Sequence, residues 1–241
     1  MKKWYSSVII IGLIIILTQS MCSKDYLITE SLDDHIYYRN GYTFSYNETY
    51  EQPNWVFYVI KPSDLKCEIS ANRKDNFKID EKIITGSATL EDYNKSGYDR
   101  GHLKPSADES CDQIQMDETF LMSNMSPQVP GFNRGVWKNL ESHIRTLALT
   151  NDSLYIYTAG NLKQINKLIG PNKVGVPTSY YKIIFEFKNG NTNITAYLIP
   201  NNKTNNSYTY FLTSIDKIEA ETGISFPNPK DKYNLPKIYA K

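Results

Sequence analysis

The sequence is most informative at residues 98–108, which read Tyr-Asp-Arg-Gly-His-Leu-Lys-Pro-Ser-Ala-Asp. His102 lies in this stretch among charged side chains, and it is one of three histidines in the chain. A single histidine is more often structural than reactive. His102 is however the only one of the three inside a dense polar cluster, which makes it the first candidate for proton transfer.

A second informative stretch follows at residues 131–141, which read Gly-Phe-Asn-Arg-Gly-Val-Trp-Lys-Asn-Leu-Glu. Apolar residues recur here at helical spacing, and they predict an amphipathic helix over residues 133–149. Asn133 and Glu141 are eight residues apart in the sequence, so at about 100° per residue they fall within a quarter turn of each other. Each also has an ordinary explanation, as a helix N-cap for Asn133 and as a solvated helix charge for Glu141.

Around these stretches the sequence alternates between strand-like and helix-like patterns. Runs of β-branched and aromatic residues predict strands, and a closing helical pattern ends before Gly223. The predicted strands are 55–60, 120–124, 154–158, 180–187 and 193–199, and the closing helix is 210–221. Residues 70–98 are rich in turn residues and indicate a long surface excursion, and residues 23–50 are predicted to be a loosely ordered lead-in. No internal repeat or linker is evident, so we expect a single mixed α+β domain.

The charge balance narrows the kind of partner. The chain has a formal net charge of +1, and hydrophobic residues make up 40% of it, which is typical of a globular protein. Proteins that bind nucleic acid are often strongly basic, because neutralisation of phosphates drives their affinity. This chain is not, so any nucleic-acid site must be a local cluster of Lys and Arg.

The N-terminus has the pattern of a targeting segment. Lys2 and Lys3 precede an apolar run over residues 8–17, which is too short to span a bilayer comfortably and favours a secretory signal peptide at residues 1–21. An uncleaved anchor is one alternative, and lipid attachment at Cys22 is another. Loss of the two lysines would lower the net charge from +1 to −1. We expect a secreted or periplasmic protein, either free or tethered to the membrane through its N-terminus.

Two cysteines remain beyond Cys22. In an oxidising compartment Cys67 and Cys111 can pair as a disulfide or remain two independent thiols, and the sequence alone leaves both open. No Cys-x-x-Cys pair and no cluster of Cys and His indicates a zinc site.

The two informative stretches together resemble the DNA/RNA non-specific endonuclease family, the ββα-metal nucleases of the endonuclease G type. The resemblance rests on Asp99-Arg-Gly-His102 followed by Asn133, Trp137 and Leu140-Glu141, and it extends over about residues 55–226. A four-residue motif is weakly specific, but the ordered set is strong. The resemblance implies a ββα-metal nuclease fold in one domain, with a central, mostly antiparallel sheet flanked by helices.

For the site, the resemblance implies roles that suit phosphodiester hydrolysis. His102 would be the general base that activates water. Asn133 would be the only direct protein ligand of a divalent ion, Mg²⁺ or Mn²⁺, and Glu141 would hold waters of that ion. Arg73 and Arg100 would contact phosphate oxygens, because the planar guanidinium matches them.

Two more residues receive roles from the resemblance. Asn124 is carried over as a residue that lines the site, and Asp99 is interpreted as a structural residue that fixes the loop. DNA and RNA are both expected as substrates, because the metal and the arginines address phosphate rather than sugar or base. The alternative is a relative with altered catalysis that only binds nucleic acid or cleaves another phosphodiester.

These expectations divide the chain into a signal peptide at residues 1–21, a lead-in at 22–50 and an endonuclease domain at 51–241. The resemblance also leaves a homodimer open, and the position of Cys22 leaves a lipid anchor open. No motif in the sequence marks a dimer interface.

Overall fold

A computed structural model describes residues 35–229 and the backbone of residues 237–238. The expected signal peptide and Cys22 lie outside the described residues. The strands are β1 (Ile36–Tyr38), β2 (Thr43–Asn47), β3 (Gln52–Ile60), β4 (Asp99–His102), β5 (Met125–Gln128), β6 (Ser153–Gly160), β7 (Ile165–Ile169), β8 (Val174–Pro177), β9 (Ser179–Lys188), β10 (Asn191–Pro200), β11 (Leu212–Thr213), β12 (Ile224–Ser225) and β13 (Lys237–Ile238). The α-helices are α1 (Pro62–Leu65), α2 (Leu90–Tyr93), α3 (Gln113–Glu118), α4 (Lys138–Ala148) and α5 (Ile215–Thr222), and short 3₁₀ helices cover Ser106–Glu109, Met122–Asn124 and Tyr208–Phe211.

Seven strands form one antiparallel sheet in the order β1-β2-β3-β6-β9-β10-β11. Its long central strands β3, β6, β9 and β10 are the runs of β-branched and aromatic residues that the sequence predicts, and each extends beyond its predicted range. The predicted fold, one α+β domain around a mostly antiparallel sheet, is confirmed.

Helix α4 supplies the apolar face that its periodicity predicts. Leu140, Ile144 and Ala148 are buried in the main core with the sheet, and burial of each large apolar side chain contributes about 1.5–3 kcal/mol to stability. The helical segment begins earlier, at Phe132–Trp137, but Gly135 has φ −107° and ψ −110° and kinks it. The predicted helix is therefore present, as two pieces joined at a glycine.

The expectation of a loosely ordered lead-in is wrong for residues 36–47. They form β1 and β2 at one edge of the main sheet, where Phe44 and Tyr46 are fully buried. Burial of these aromatic rings stabilises the two strands, although their sequence shows no clear hydrophobic period.

Two elements also differ from the prediction. The predicted strand at residues 120–124 is wrong, because only Leu121 forms an isolated bridge, with Lys78, and Met122–Asn124 is a 3₁₀ helix that precedes strand β5. The closing helix begins at Ile215 rather than at position 210, because the Ser214 side chain caps it by accepting a hydrogen bond from the Lys217 N–H (3.2 Å). It ends at Gly223 as predicted, in the left-handed conformation with φ 71°.

A second, smaller core supports two short ribbons beside the main sheet. One ribbon pairs β4 with β5, and the other pairs β7 with β8. Phe77 and Tyr98 pack against this core. Its buried members are Ala88, Tyr93, Met122, Met125, Ile169, Val174 and Val176. The sequence analysis did not predict β7 and β8, which are short.

Cys67 and Cys111 are joined by a disulfide, with 5.6 Å between their Cα atoms. The pairing settles the alternative that the sequence leaves open, and it connects the chain just after α1 to the segment between Ser106–Glu109 and α3. Within residues 35–229, no helix is long and apolar enough to cross a membrane.

Candidate active site

Strand β4 carries the Asp-Arg-Gly-His motif and is held close to β5. Gly101 pairs with Ser126 and His102 with Met125 across the ribbon. The Gln128 side chain lies over Gly101, so that a Cβ atom there would be 2.1 Å from Gln128 Cδ. The glycine of the motif is therefore required by close packing rather than by an unusual backbone angle.

Strand β5 is in turn fixed to the main sheet through Tyr180 of β9. The buried Tyr180 hydroxyl donates to the Pro127 carbonyl (2.9 Å) and lies 2.7 Å from Ser126 Oγ. The Tyr180 ring also stacks on Phe132, at 5.2 Å between centroids. The tyrosine therefore joins the ribbon, the kinked helix and the sheet in one rigid frame.

The His102 ring lies against two phenylalanines. Its centroid is 4.8 Å from Phe120, edge to face, and 5.7 Å from Phe77. Its Nε2 atom is buried and has no hydrogen-bond partner among the described residues. Burial, together with the charges of Arg73 and Arg100, lowers the pKa of His102 to about 3, while Asp75 opposes the shift. The imidazole is thus neutral at pH 7 and has a free lone pair.

Both predicted arginines lie beside this aromatic cluster. The Arg100 guanidinium carbon is 4.3 Å from the centroid of Phe77, and that of Arg73 is 5.2 Å from the centroid of Phe120. Arg73 also contacts Asp75 (2.7 Å) and donates to Ser106 Oγ (2.9 Å), yet 53% of its side chain is exposed. Two cations therefore flank the general-base candidate and remain accessible to a phosphate.

Asn133 is connected to β4 through Asp99. The Asn133 Nδ2 donates to Asp99 Oδ2 (2.9 Å), and Arg134 donates two hydrogen bonds to the same carboxylate (2.8 and 2.6 Å). Burial alone would raise the pKa of Asp99, but the hydrogen bonds from Arg134 and Asn133 lower it below its usual value. Asp99 therefore holds the side chains of Asn133 and Arg134 at the start of the kinked helical segment.

Glu141 lies on α4 near three charged side chains, Lys182, Asp108 and Arg145. Lys182 of β9 is fully buried, donates to the Tyr58 hydroxyl (3.2 Å) and lies 4.7 Å from the Trp137 ring. Burial raises the pKa of Glu141, and the positive charge of Lys182 opposes the shift. The kink at Gly135 invalidates the regular-helix arithmetic that places Asn133 and Glu141 on one face.

Asn124, which the resemblance assigns to the site, is hydrogen-bonded to the backbone next to the motif, and its part in the reaction stays a prediction. It is fully buried, and its amide forms three hydrogen bonds. Its Oδ1 accepts from the Lys104 N–H (2.9 Å), and its Nδ2 donates to the carbonyls of Lys104 (2.9 Å) and Thr119 (2.8 Å). Since Lys104 follows His102 by two residues, Asn124 positions the chain that carries the histidine.

Sequence reasoning also missed two contributors to the site. Phe120 packs on the His102 ring, and Ser106 binds Arg73. Neither has a local signal, because the contacts join residues 18 and 33 positions apart.

The residues present fit a hydrated divalent ion better than an ion held directly by several charged ligands. Within the described part of the chain, no group of three or more His, Cys, Asp or Glu residues could hold a metal. The Asn133 amide nitrogen is used by Asp99, which leaves its oxygen as the ligand atom. An amide oxygen and the Glu141 carboxylate are donor types that suit a hydrated divalent ion.

Comparisons with known proteins identify the family. Residues 24–232 match the model of the family described as DNA/RNA non-specific endonuclease. A nuclease from Nostoc sp. is 37% identical over 206 residues, which cover 80% of this chain and 73% of that protein. The mitochondrial endonuclease G of Bos taurus is 32% identical over 204 residues, which cover 79% and 68% of the two chains.

A solved structure gives the same assignment. The crystal structure of an EndoG/EndoGI complex superimposes with a TM-score of 0.76 at 32% identity, over 80% of this chain and 85% of that one. The matches assign this protein to the nucleases, enzymes that hydrolyse nucleic acids. The chain belongs to the DNA/RNA non-specific endonuclease family.

Proposed function

We propose that this protein is a magnesium-dependent endonuclease that cleaves both DNA and RNA, with His102 as general base. One observation carries the proposal: a neutral imidazole lies on two phenylalanine rings, and an accessible arginine lies on each of those rings. Phosphodiester hydrolysis needs a base for the attacking water and positive charge around the phosphoryl oxygens. Both are provided within one cluster.

His102 accepts the proton of the attacking water in this proposal. Its pKa is lowered to about 3 by burial first and by the arginine charges second. A phosphate that binds Arg73 and Arg100 neutralises those charges, so substrate binding moves the pKa of His102 upward, toward the pH at which a base is most effective. The imidazole therefore becomes a better base when substrate is bound.

Arg73 and Arg100 hold the phosphate beside the imidazole. Their positions on Phe120 and Phe77 restrict their side chains before substrate arrives. Restricted donors lose less conformational entropy on binding, and they stabilise charge that develops on the phosphoryl oxygens.

Asn133 and Glu141 would hold the divalent ion, through an amide oxygen and through bound waters respectively. When bound, the ion supplies positive charge that stabilises the pentavalent transition state and the leaving oxygen. Asp99 keeps the Asn133 amide in place through its hydrogen bond. Burial raises the pKa of Glu141, and a nearby cation favours the charged carboxylate that holds the waters.

Indifference to the sugar follows from the groups available. Every side chain assigned to the reaction addresses water, phosphate or metal, and such contacts carry no base or sugar information. We also propose that the mature protein works outside the cytoplasm, as a secreted or periplasmic enzyme. The disulfide between Cys67 and Cys111 supports this location, since disulfides persist in oxidising compartments.

The test is digestion of plasmid DNA and of RNA by the purified protein with Mg²⁺, with EDTA, and after His102→Ala. We expect cleavage of both polymers, and its loss with EDTA and in the variant. The matched control is His143→Ala, because His143 stacks on Tyr208 (5.0 Å) and has no contact with the His102 cluster among the described residues. Full activity of folded His102→Ala protein would contradict the assigned base. Folded wild-type protein that binds DNA or RNA but never cleaves it would contradict the proposed enzymatic function.

A further inference from the structure

A row of side chains on one face of β4 extends away from the general-base candidate. Alternate residues of a strand point to the same side, which places Tyr98, Arg100 and His102 on one face. The contacts agree, because Phe77 touches both the His102 ring and the Arg100 guanidinium. The row ends at Tyr98, immediately before β4 begins.

Lys167 of the neighbouring β7–β8 ribbon lies over the end of this row. Its Nζ atom is 4.8 Å from the centroid of the Tyr98 ring. Ile169 and Val176 of the same ribbon belong to the second core, against which Tyr98 also packs. The cation is therefore attached to the same rigid unit as the strand that carries His102.

Lys167 and Arg100 are two cations in or beside this row without a carboxylate partner in the described part of the chain. Neither forms an ion pair with any residue of the described segment 35–229, and both are exposed. In a protein with a net charge of only +1, unpaired cations in line with the reactive histidine are a local positive track. Such a track is the kind of cluster that a near-neutral nuclease requires.

We propose that Lys167 binds a backbone phosphate of the polynucleotide, outside the cleavage point and on the Tyr98 side of His102. Four residues of extended chain cover roughly 13 Å, and phosphates of one strand follow each other at about 3.4 Å along a duplex axis. The lysine thus contacts the substrate a few nucleotides from the scissile bond. This inference rests on the proposed function and adds a second substrate contact to it.

The test compares Lys167→Gln with Lys188→Gln in the purified full-length protein. Lys188 is also exposed, but it lies at the far end of β9 from Tyr180 and the site. Binding of a short labelled DNA duplex is measured by anisotropy with EDTA present, from about 50 mM to about 200 mM salt. Loss of one phosphate contact lowers the slope of log K against log salt by about 0.9 and weakens binding about fivefold at 0.15 M salt.

Three readouts separate a phosphate contact from a merely structural lysine. Lys167→Arg should restore the salt slope, because it keeps the charge. Lys167→Gln should leave the urea midpoint of unfolding unchanged, and it should leave turnover of a small phosphodiester unchanged while the KM for polymer rises. Equal salt slopes for Lys167→Gln, Lys188→Gln and an active wild type would overturn this inference alone. A wild type that neither binds nor cleaves nucleic acid would overturn the proposed function with it.

Discussion

Replacement of Cys67 and Cys111 by serine in one double variant opens a covalent loop whose ends are 44 positions apart. The disulfide restricts the unfolded chain, and for a loop of this length the chain-entropy relation gives about 4 kcal/mol of stabilisation of the folded state. We expect the free energy of unfolding to fall by about that amount. A domain of this kind is stable by about 5–15 kcal/mol, so the variant remains folded at 25 °C.

The same variant should keep its native site. Three hydrogen bonds hold the Arg73 segment independently of the disulfide. They run from the Ala71 N–H to the Ser110 carbonyl (2.7 Å), from the Asn72 N–H to Gln113 Oε1 (2.7 Å) and from Arg73 Nη1 to Ser106 Oγ (2.9 Å). Nuclease activity well below the melting temperature should therefore stay within about twofold of wild type, since these bonds lie in the folded state.

The measurement is urea unfolding followed by the fluorescence of Trp55 and Trp137, which are both buried. Wild type treated with a reductant should unfold at the midpoint of the double variant, and the reductant should not affect the variant. A loss of less than about 1 kcal/mol in both comparisons would refute the entropic account of this bridge. A strong loss of activity in a fully folded variant would show that the disulfide, rather than the hydrogen bonds, positions Arg73.

Two further predictions concern buried polar groups. Asn124→Ala leaves three backbone groups without partners. The free energy of unfolding, measured by urea titration, should therefore fall by about 2–4 kcal/mol. The kcat should also fall, while the KM for polymer is unchanged. Asn151→Ala, which removes one hydrogen bond to the Leu147 carbonyl (2.9 Å), is the control, and unchanged stability of Asn124→Ala would contradict the positioning role. Burial raises the pKa of Glu51 to about 7. Between pH 4.5 and 7 the folded state therefore keeps a proton that the unfolded state has lost. For this reason Glu51 lowers the free energy of unfolding progressively as the pH rises through that range. Glu51→Gln should therefore add on the order of 1 kcal/mol at pH 8 after allowance for solvent screening and almost nothing at pH 4.5; an equal gain at both pH values, or the same profile for the exposed Glu68→Gln, would contradict the assignment.

The sequence by itself determined the features that rest on local patterns. Strands β3, β6, β9 and β10 follow from runs of β-branched and aromatic residues, and α4 follows from a 3.6-residue period. The ordered motifs are sufficient for the family, and they predict His102, Arg73, Arg100 and Asn133 as site residues.

Only the tertiary structure decided which distant residues meet. It paired Cys67 with Cys111, placed Phe120 on His102, buried Asn124 and brought Lys167 over Tyr98. It also placed β1 and β2 at one edge of the main sheet, because their aromatic side chains fill a core made by later segments. The periodicity of a sequence indicates which face of a helix or strand is apolar. Contacts between elements depend instead on packing of the whole chain, so no local sequence pattern predicts them.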